Sequence, residues 1–282
     1  DSIRAMFSDV TKTSEVLSAM DELGDITKDV LYSEFNAAAS KKYIYEDFES
    51  YADASNTSYV QSTRINLTDL DSVNGGTGWN GGWYDNDSGI ISGGHQLSLK
   101  QDNYVGVWSE RGFDLYTSDW RSYPLKRNFA TPIDFRVAGE YYIKIKAQPA
   151  HAVGSEWLAG YDMKISVGDK ISFGVKYVEG KTVATTSPYM YPYLTTGETT
   201  IENTENGVRT ADYHEHFVQI NADGKGNATV TYTAGGKIVL KGSVSGLTTA
   251  DYICLSGGGY TRICDITIEG YSKETLDSIR AM

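Results

Sequence analysis

The chain has 282 residues, of which 25 are basic and 37 acidic, giving a formal net charge of −12. That balance argues against nucleic acid or an anionic membrane surface as partner, because phosphate recognition needs a basic face. No run reaches the roughly 18 apolar residues of a membrane span, so no membrane insertion is expected, and a hydrophobic content of 40% is enough for a packed core.

Residues 1–42 contain one glycine, Gly24, and no proline. Ile3, Met6, Phe7 and Val10 recur at helical spacing, as do Val16, Leu17, Met20 and Leu23, then Ile26, Val30, Leu31 and Phe35. With Gly24 as a C-cap and Asp25 as an N-cap, the pattern predicts an N-terminal helical hairpin. From 43 to 271 the period falls to two. Tyr141, Ile143 and Ile145 share one strand face, opposite Tyr142, Lys144 and Lys146. Ile171, Phe173, Val175 and Tyr177 line another face, and the pairs Val218/Ile220, Val230/Tyr232 and Ile238/Leu240 line three more. Turns are expected at 221–224 and at Ala234-Gly235-Gly236-Lys237. No strand–helix alternation appears, so the predicted fold is mainly β, an antiparallel jelly-roll β-sandwich over 43–271. Ser272 stands where it would cap a short C-terminal helix within 272–282.

Two further features have local consequences. Residues 252–256 and 262–268 read as a hairpin turning at Gly259, which sets Cys254 opposite Cys264. The pair is either a cross-strand disulfide or two small buried apolar side chains. The hexapeptide Asp1-Ser-Ile-Arg-Ala-Met6 recurs as Asp277-Ser-Ile-Arg-Ala-Met282. It predicts near-identical units in tandem, with neighbouring repeats as partners; an expression scar is the rival explanation.

Asp47-Phe48-Glu49-Ser50-Tyr51, the stretch Gly75-Gly76-Thr77-Gly78-Trp79-Asn80-Gly81-Gly82-Trp83, Tyr141-Tyr142-Ile143, Ile171-Ser172-Phe173-Gly174 and Cys264-Asp265-Ile266-Thr267-Ile268 together resemble bacterial laminin-G-like domains of the concanavalin A-like superfamily. The resemblance spans roughly residues 45–270, and its most specific part is the glycine–tryptophan stretch. It implies two curved antiparallel sheets, a secreted or cell-surface location, and adhesion to carbohydrate or protein. Because this fold also carries glycosidases, lyases and spacers, function has to be argued from the site.

Sugars present apolar C–H faces that stack on aromatic rings and hydroxyls that need polar partners. Trp79 reads as a structural plug, whereas Trp83, beside Tyr84-Asp85-Asn86-Asp87, is open to either burial or binding. Trp120 stands in a polar loop with Asp119 and Arg121, and Trp157 in a glycine-bounded loop with Glu156. In Pro188-Tyr189-Met190-Tyr191-Pro192-Tyr193 the prolines argue for an extended loop outside any central strand. Tyr189, Tyr191 and Tyr193 would then form either a flat stacking row or a cover laid over the core with hydroxyls in water.

Asp47 and Glu49 on the first strand and Asp265 on the last resemble the oxygen ligands of structural Ca²⁺ in jelly rolls. His214 and His216 share a strand face but have no visible third zinc ligand. Catalytic patterns are missing: Glu46-Asp47-Phe48-Glu49 has the wrong spacing for the glucanase acids, and no nucleophile elbow or phosphate loop occurs. The expectation is a non-enzymatic module that binds an extracellular polysaccharide. The alternative is a spacer or adhesin repeat, and a lyase or glycosidase ranks behind both. Several exposed rings in one groove would favour binding; buried or scattered rings would favour the spacer.

Overall fold

The computed structural model describes residues 41–48, 62–66, 74–85, 96–101, 111–114, 124–150, 162–181, 188–257 and 261–280. In chain order the strands among these residues are β1 (Lys41–Glu46), β2 (Ser62–Asn66), β3 (Trp79–Asp85), β4 (Gln96–Gln101), β5 (Arg111–Asp114), β6 (Leu125–Asp134), β7 (Gly139–Gln148), β8 (Asp162–Val167), β9 (Ile171–Lys176), β10 (Tyr189–Thr196), β11 (Thr199–Glu202), β12 (Val208–Arg209), β13 (His214–Ala222), β14 (Asn227–Ala234), β15 (Ile238–Ser245), β16 (Thr249–Ser256) and β17 (Arg262–Ser272). One sheet runs β15-β14-β13-β7-β17-β5-β4-β2, with β1 added against β17. The other runs β11-β10-β9-β8-β16-β6-β3, with β12 added against β10. Every pairing among the described residues is antiparallel.

The core lies between the sheets, and alternation decides which residues enter it. Tyr141, Ile143 and Ile145 of β7 are buried, as are Ile171, Phe173 and Val175 of β9, Val218 and Ile220 of β13, and Val230 and Tyr232 of β14. Each is a core position expected from the sequence. The two predicted turns join β13 to β14 and β14 to β15, with Ala222 opposite Ala228 and Ala234 opposite Ile238.

The C-terminal helix α1 (Lys273–Arg280) starts where Ser272 caps it: the Ser272 hydroxyl accepts the Thr275 N–H at 3.2 Å. Its other end is tied to β7 by Arg280, which donates to Glu140 at 2.7 Å. Ser272→Ala should therefore cost about 1 kcal/mol in a urea melt. A loss below a few tenths would mean that docking on β7, rather than the cap, starts the helix.

Two expectations are corrected. β16 and β17 do not form a hairpin: β16 pairs β6 and β8 in one sheet, while β17 pairs β1, β5 and β7 in the other. Cys254 and Cys264 are therefore not cross-strand neighbours, because their strands belong to different sheets. The second correction is β10, which holds the proline-rich tract as a strand with partners on both sides. Pro192 is tolerated because its ring nitrogen falls where that flank is interrupted, between β11 and β12; its carbonyl there accepts the Asn203 N–H at 2.9 Å. The helical hairpin of 1–42 lies outside the described residues, apart from Lys41 and Lys42, which open β1.

Candidate functional site

The candidate binding residues separate into three groups. Trp120, Trp157, Arg121, Asp119 and Glu156 lie outside the described residues. Trp83 is fully buried, so its ring offers no face to a ligand. The tyrosine row divides: Tyr189 is 46% exposed, but Tyr191 and Tyr193 keep only 8% and 6%. The three do alternate onto one face of β10, as expected, yet no flat platform results. Tyr193 stands opposite Gly174, where no side chain holds its ring away from the sheet, and its hydroxyl donates to Asp162 at 3.1 Å. Burial and the Asp162 carboxylate both push that hydroxyl well above the usual phenol range. Tyr191 donates to the Lys181 carbonyl at 3.2 Å. These two rings cover the sheet.

Tyr189 instead borders a cleft of about 540 Å³. The cleft opens between β10 and β12 of one sheet and the β14–β15 turn of the other. Tyr189 pairs with Arg209 across the β10–β12 ladder, and the polar wall comprises Asn203, Asn206, Arg209, Asp212 and His214. Opposite it stand Lys237 and Val239, the latter 57% exposed. Short-range bonds hold the walls. The Asn203 carboxamide oxygen accepts the Glu205 and Asn206 N–H groups, forming the turn that leads into β12. His214 Nε2 lies 2.8 Å from the Arg209 carbonyl, an acceptor, so that nitrogen is the donor.

Two glycines keep the cleft open. A Cβ on Gly207 would lie 3.0 Å from the Tyr189 Cβ and 2.8 Å from the Met190 carbonyl. Gly235 has φ +58°, and a side chain there would press on Val208 and His214. An exposed ring, an exposed valine, and carboxamide, guanidinium and carboxylate groups around one concavity suit an amphipathic, hydroxyl-rich ligand.

The metal candidates do not assemble into a site among the described residues. β1 and β17 are neighbours, as expected for the first and last strands, and Asp47 and Asp265 flank their Glu46–Ile266 pair. Tyr45 donates to Asp47 at 3.0 Å, and Glu49 lies outside the described residues. No three His, Cys, Asp or Glu side chains converge among the described residues, and two carboxylates alone do not make a calcium cage. The His214–His216 pair is divided between functions: His214 lines the cleft, while His216 is fully buried, its Nδ1 2.7 Å from the Tyr232 hydroxyl.

One structural centre went unread in the sequence. Arg127 and Glu46, both fully buried, pair at 2.9 Å. Arg127 also donates to the carbonyls of Gly75 and Gly81 and lies 4.5 Å from the Trp79 ring centroid and 5.8 Å from that of Trp83. The glycine–tryptophan stretch is thus a wrapping around a buried cation. Gly76 and Gly78 are needed for close approach: a Cβ on Gly78 would sit 1.7 Å from the Tyr43 carbonyl, and one on Gly76 2.4 Å from the Tyr45 carbonyl. The signal was present as charges at core-phase positions, in Leu125/Arg127/Phe129 and in Ile44/Glu46/Phe48.

No family model matches the chain, and no curated protein sequence does. In structure it is similar to an endo-1,3-β-glucanase from Streptomyces sioyaensis, with 9% identity over 83% of this chain and 97% of that one and a TM-score of 0.41. It is also similar to the globular domain of T. cruzi calreticulin (14% identity, 86% and 92% covered, TM-score 0.43) and to lectin II from Ulex europaeus (9%, 76% and 100%, TM-score 0.39). At these values the likenesses bear on neither activity nor ligand.

Proposed function

We propose that this chain is a non-catalytic module, a laminin-G-like jelly roll, that binds an extracellular polysaccharide at the Tyr189 cleft. The observation that carries the reading is the exposed Tyr189 ring beside Asn203, Asn206, Arg209 and Asp212 in one concavity. The ring takes a sugar's C–H face and the polar groups take its hydroxyls. A single stacked ring contributes about 1 kcal/mol beyond its buried area, so one cleft binds weakly. Tandem units on a secreted or cell-surface protein would offset that weakness through effective concentration.

A glycan array followed by affinity gels tests the reading. Tyr189→Ala should weaken retention about fivefold, matching that ring's contribution, with the urea midpoint almost unchanged because the ring is exposed. Retention that survives the substitution would place the site elsewhere, with Trp120 and Trp157 as the next residues to change. The burial of Trp83, Tyr191 and Tyr193 favours a second reading, a spacer or adhesin repeat. Failure to retain any polysaccharide would leave that reading standing.

A further inference from the structure

The cleft's charge runs against that of the molecule. The chain carries −12, a field that repels polyanions in general. The ionisable side chains around the cleft are nevertheless Arg209, Lys237 and His214 against one carboxylate, Asp212. Arg209 Nε and Asp212 Oδ2 stand 4.0 Å apart with both side chains about half exposed, so water screens most of their attraction. At that separation Asp212 leaves most of the guanidinium's donors unengaged. Lys237 sits on the exposed turn opposite and makes no ion pair among the described residues.

Position makes these two cations useful. Arg209 is the register partner of Tyr189, so a sugar lying on the ring would bring its substituents to the guanidinium. The Arg209 carbonyl is held by His214 Nε2 at 2.8 Å and by the Asp212 N–H at 3.4 Å, which fixes the backbone that presents the side chain. Arginine offers a planar fork matched to carboxylate or sulfate oxygens, and lysine adds a point charge from the facing wall.

Resting on the sugar-binding reading above, we infer that the Tyr189 cleft is selective for an acidic sugar residue. The residue bears a carboxylate or a sulfate, with its apolar face on Tyr189 and Val239 and its anion received by Arg209 and Lys237.

The experiment is affinity electrophoresis of the whole chain in gels containing polygalacturonate, dextran sulfate or neutral dextran, with single-stranded DNA as a fourth arm. Retention should appear in polygalacturonate or dextran sulfate, and which of the two retards the chain identifies the anion. Neutral dextran should retard it far less. Arg209→Gln and Lys237→Gln should each weaken that retention about threefold, the upper range of an exposed charge contact, and 0.5 M salt should weaken it further. Lys126→Gln, on β6 four strands away from β10 in the same sheet, should leave it unchanged. Equal retention in neutral dextran, insensitive to salt and to both cleft substitutions, would overturn the acidic selectivity while leaving sugar binding intact. Retention by DNA as strong as by the acidic glycan, or an equal effect of Lys126→Gln, would reduce the result to general polyanion attraction and overturn it too. Retention in none of the gels would remove the sugar-binding reading as well.

Discussion

Arg127→Met should destabilise the protein by about 3–5 kcal/mol, the cost of leaving one partner of a buried ion pair uncompensated. Glu46 would keep the Phe48 N–H at 2.8 Å but lose the guanidinium at 2.9 Å. Burial already pushes the Glu46 carboxyl above its ordinary value, against the opposing pull of the Phe48 N–H and Arg127. The Gly75 and Gly81 carbonyls would lose a charged donor, and the Trp79 and Trp83 rings a cation over their faces. Glu46→Gln should cost less, because Arg127 retains both carbonyls and both rings when its counter-charge goes. Urea melts of the two variants check the order. If Glu46→Gln proved the more damaging, the ion pair would outweigh the carbonyl and ring contacts, and the cradle account of the glycine–tryptophan stretch would be wrong.

The sequence was legible where a strand buries one face and solvates the other. β7, β9, β13 and β14 alternate cleanly, and the double glycine of the β14–β15 turn marks itself locally, so period and turn chemistry located them. β10 was misread because proline is a local argument against pairing, whereas the interruption that accommodates Pro192 is made by residues 203–207, beyond any local window. β16 and β17 misled for a related reason. Adjacent strands with a short gap look like a hairpin, and only the packing decides that the chain changes sheets between them. The cleft was least legible. Its lining comes from β10, from the 203–212 region, from His214 at the start of β13 and from residues 234–239, segments that no periodicity links. Only Tyr189 was anticipated as a sugar contact, read as one ring of a row rather than as the wall of a cavity, while His214 was weighed only as a zinc ligand. The two charges at core-phase positions, Glu46 and Arg127, were the one long-range signal visible in the residues themselves, since opposite charges in apolar phase on two strands call for each other.

His216 should make stability fall as the solution is acidified below pH 6.5. The ring is buried between the sheets, stacked near Tyr232 with centroids 6.1 Å apart, and its Nε2 has no hydrogen-bond partner among the described residues. Burial first, and then the nearby His214, push its pKa down to about 3 from an ordinary 6.5. In the folded state the ring therefore stays neutral while the same residue in the unfolded chain takes up a proton. Between pH 6.5 and about 3 the unfolded state binds more protons, so stability drops by roughly 1–1.5 kcal/mol per pH unit from this residue alone. Above pH 6.5 neither state protonates, and the contribution is flat. His216→Leu removes the titration while keeping similar volume, and Tyr232 still has the Gly174 carbonyl at 3.3 Å as acceptor. The carboxylates titrate in both proteins, so the difference in unfolding free energy between wild type and His216→Leu isolates the imidazole. That difference should be constant from pH 8 to 7 and should shift in favour of the leucine variant from pH 6 to 5. A difference that stays constant across the whole range would mean that the ring accepts its proton inside the folded core, and would require a route by which water reaches Nε2.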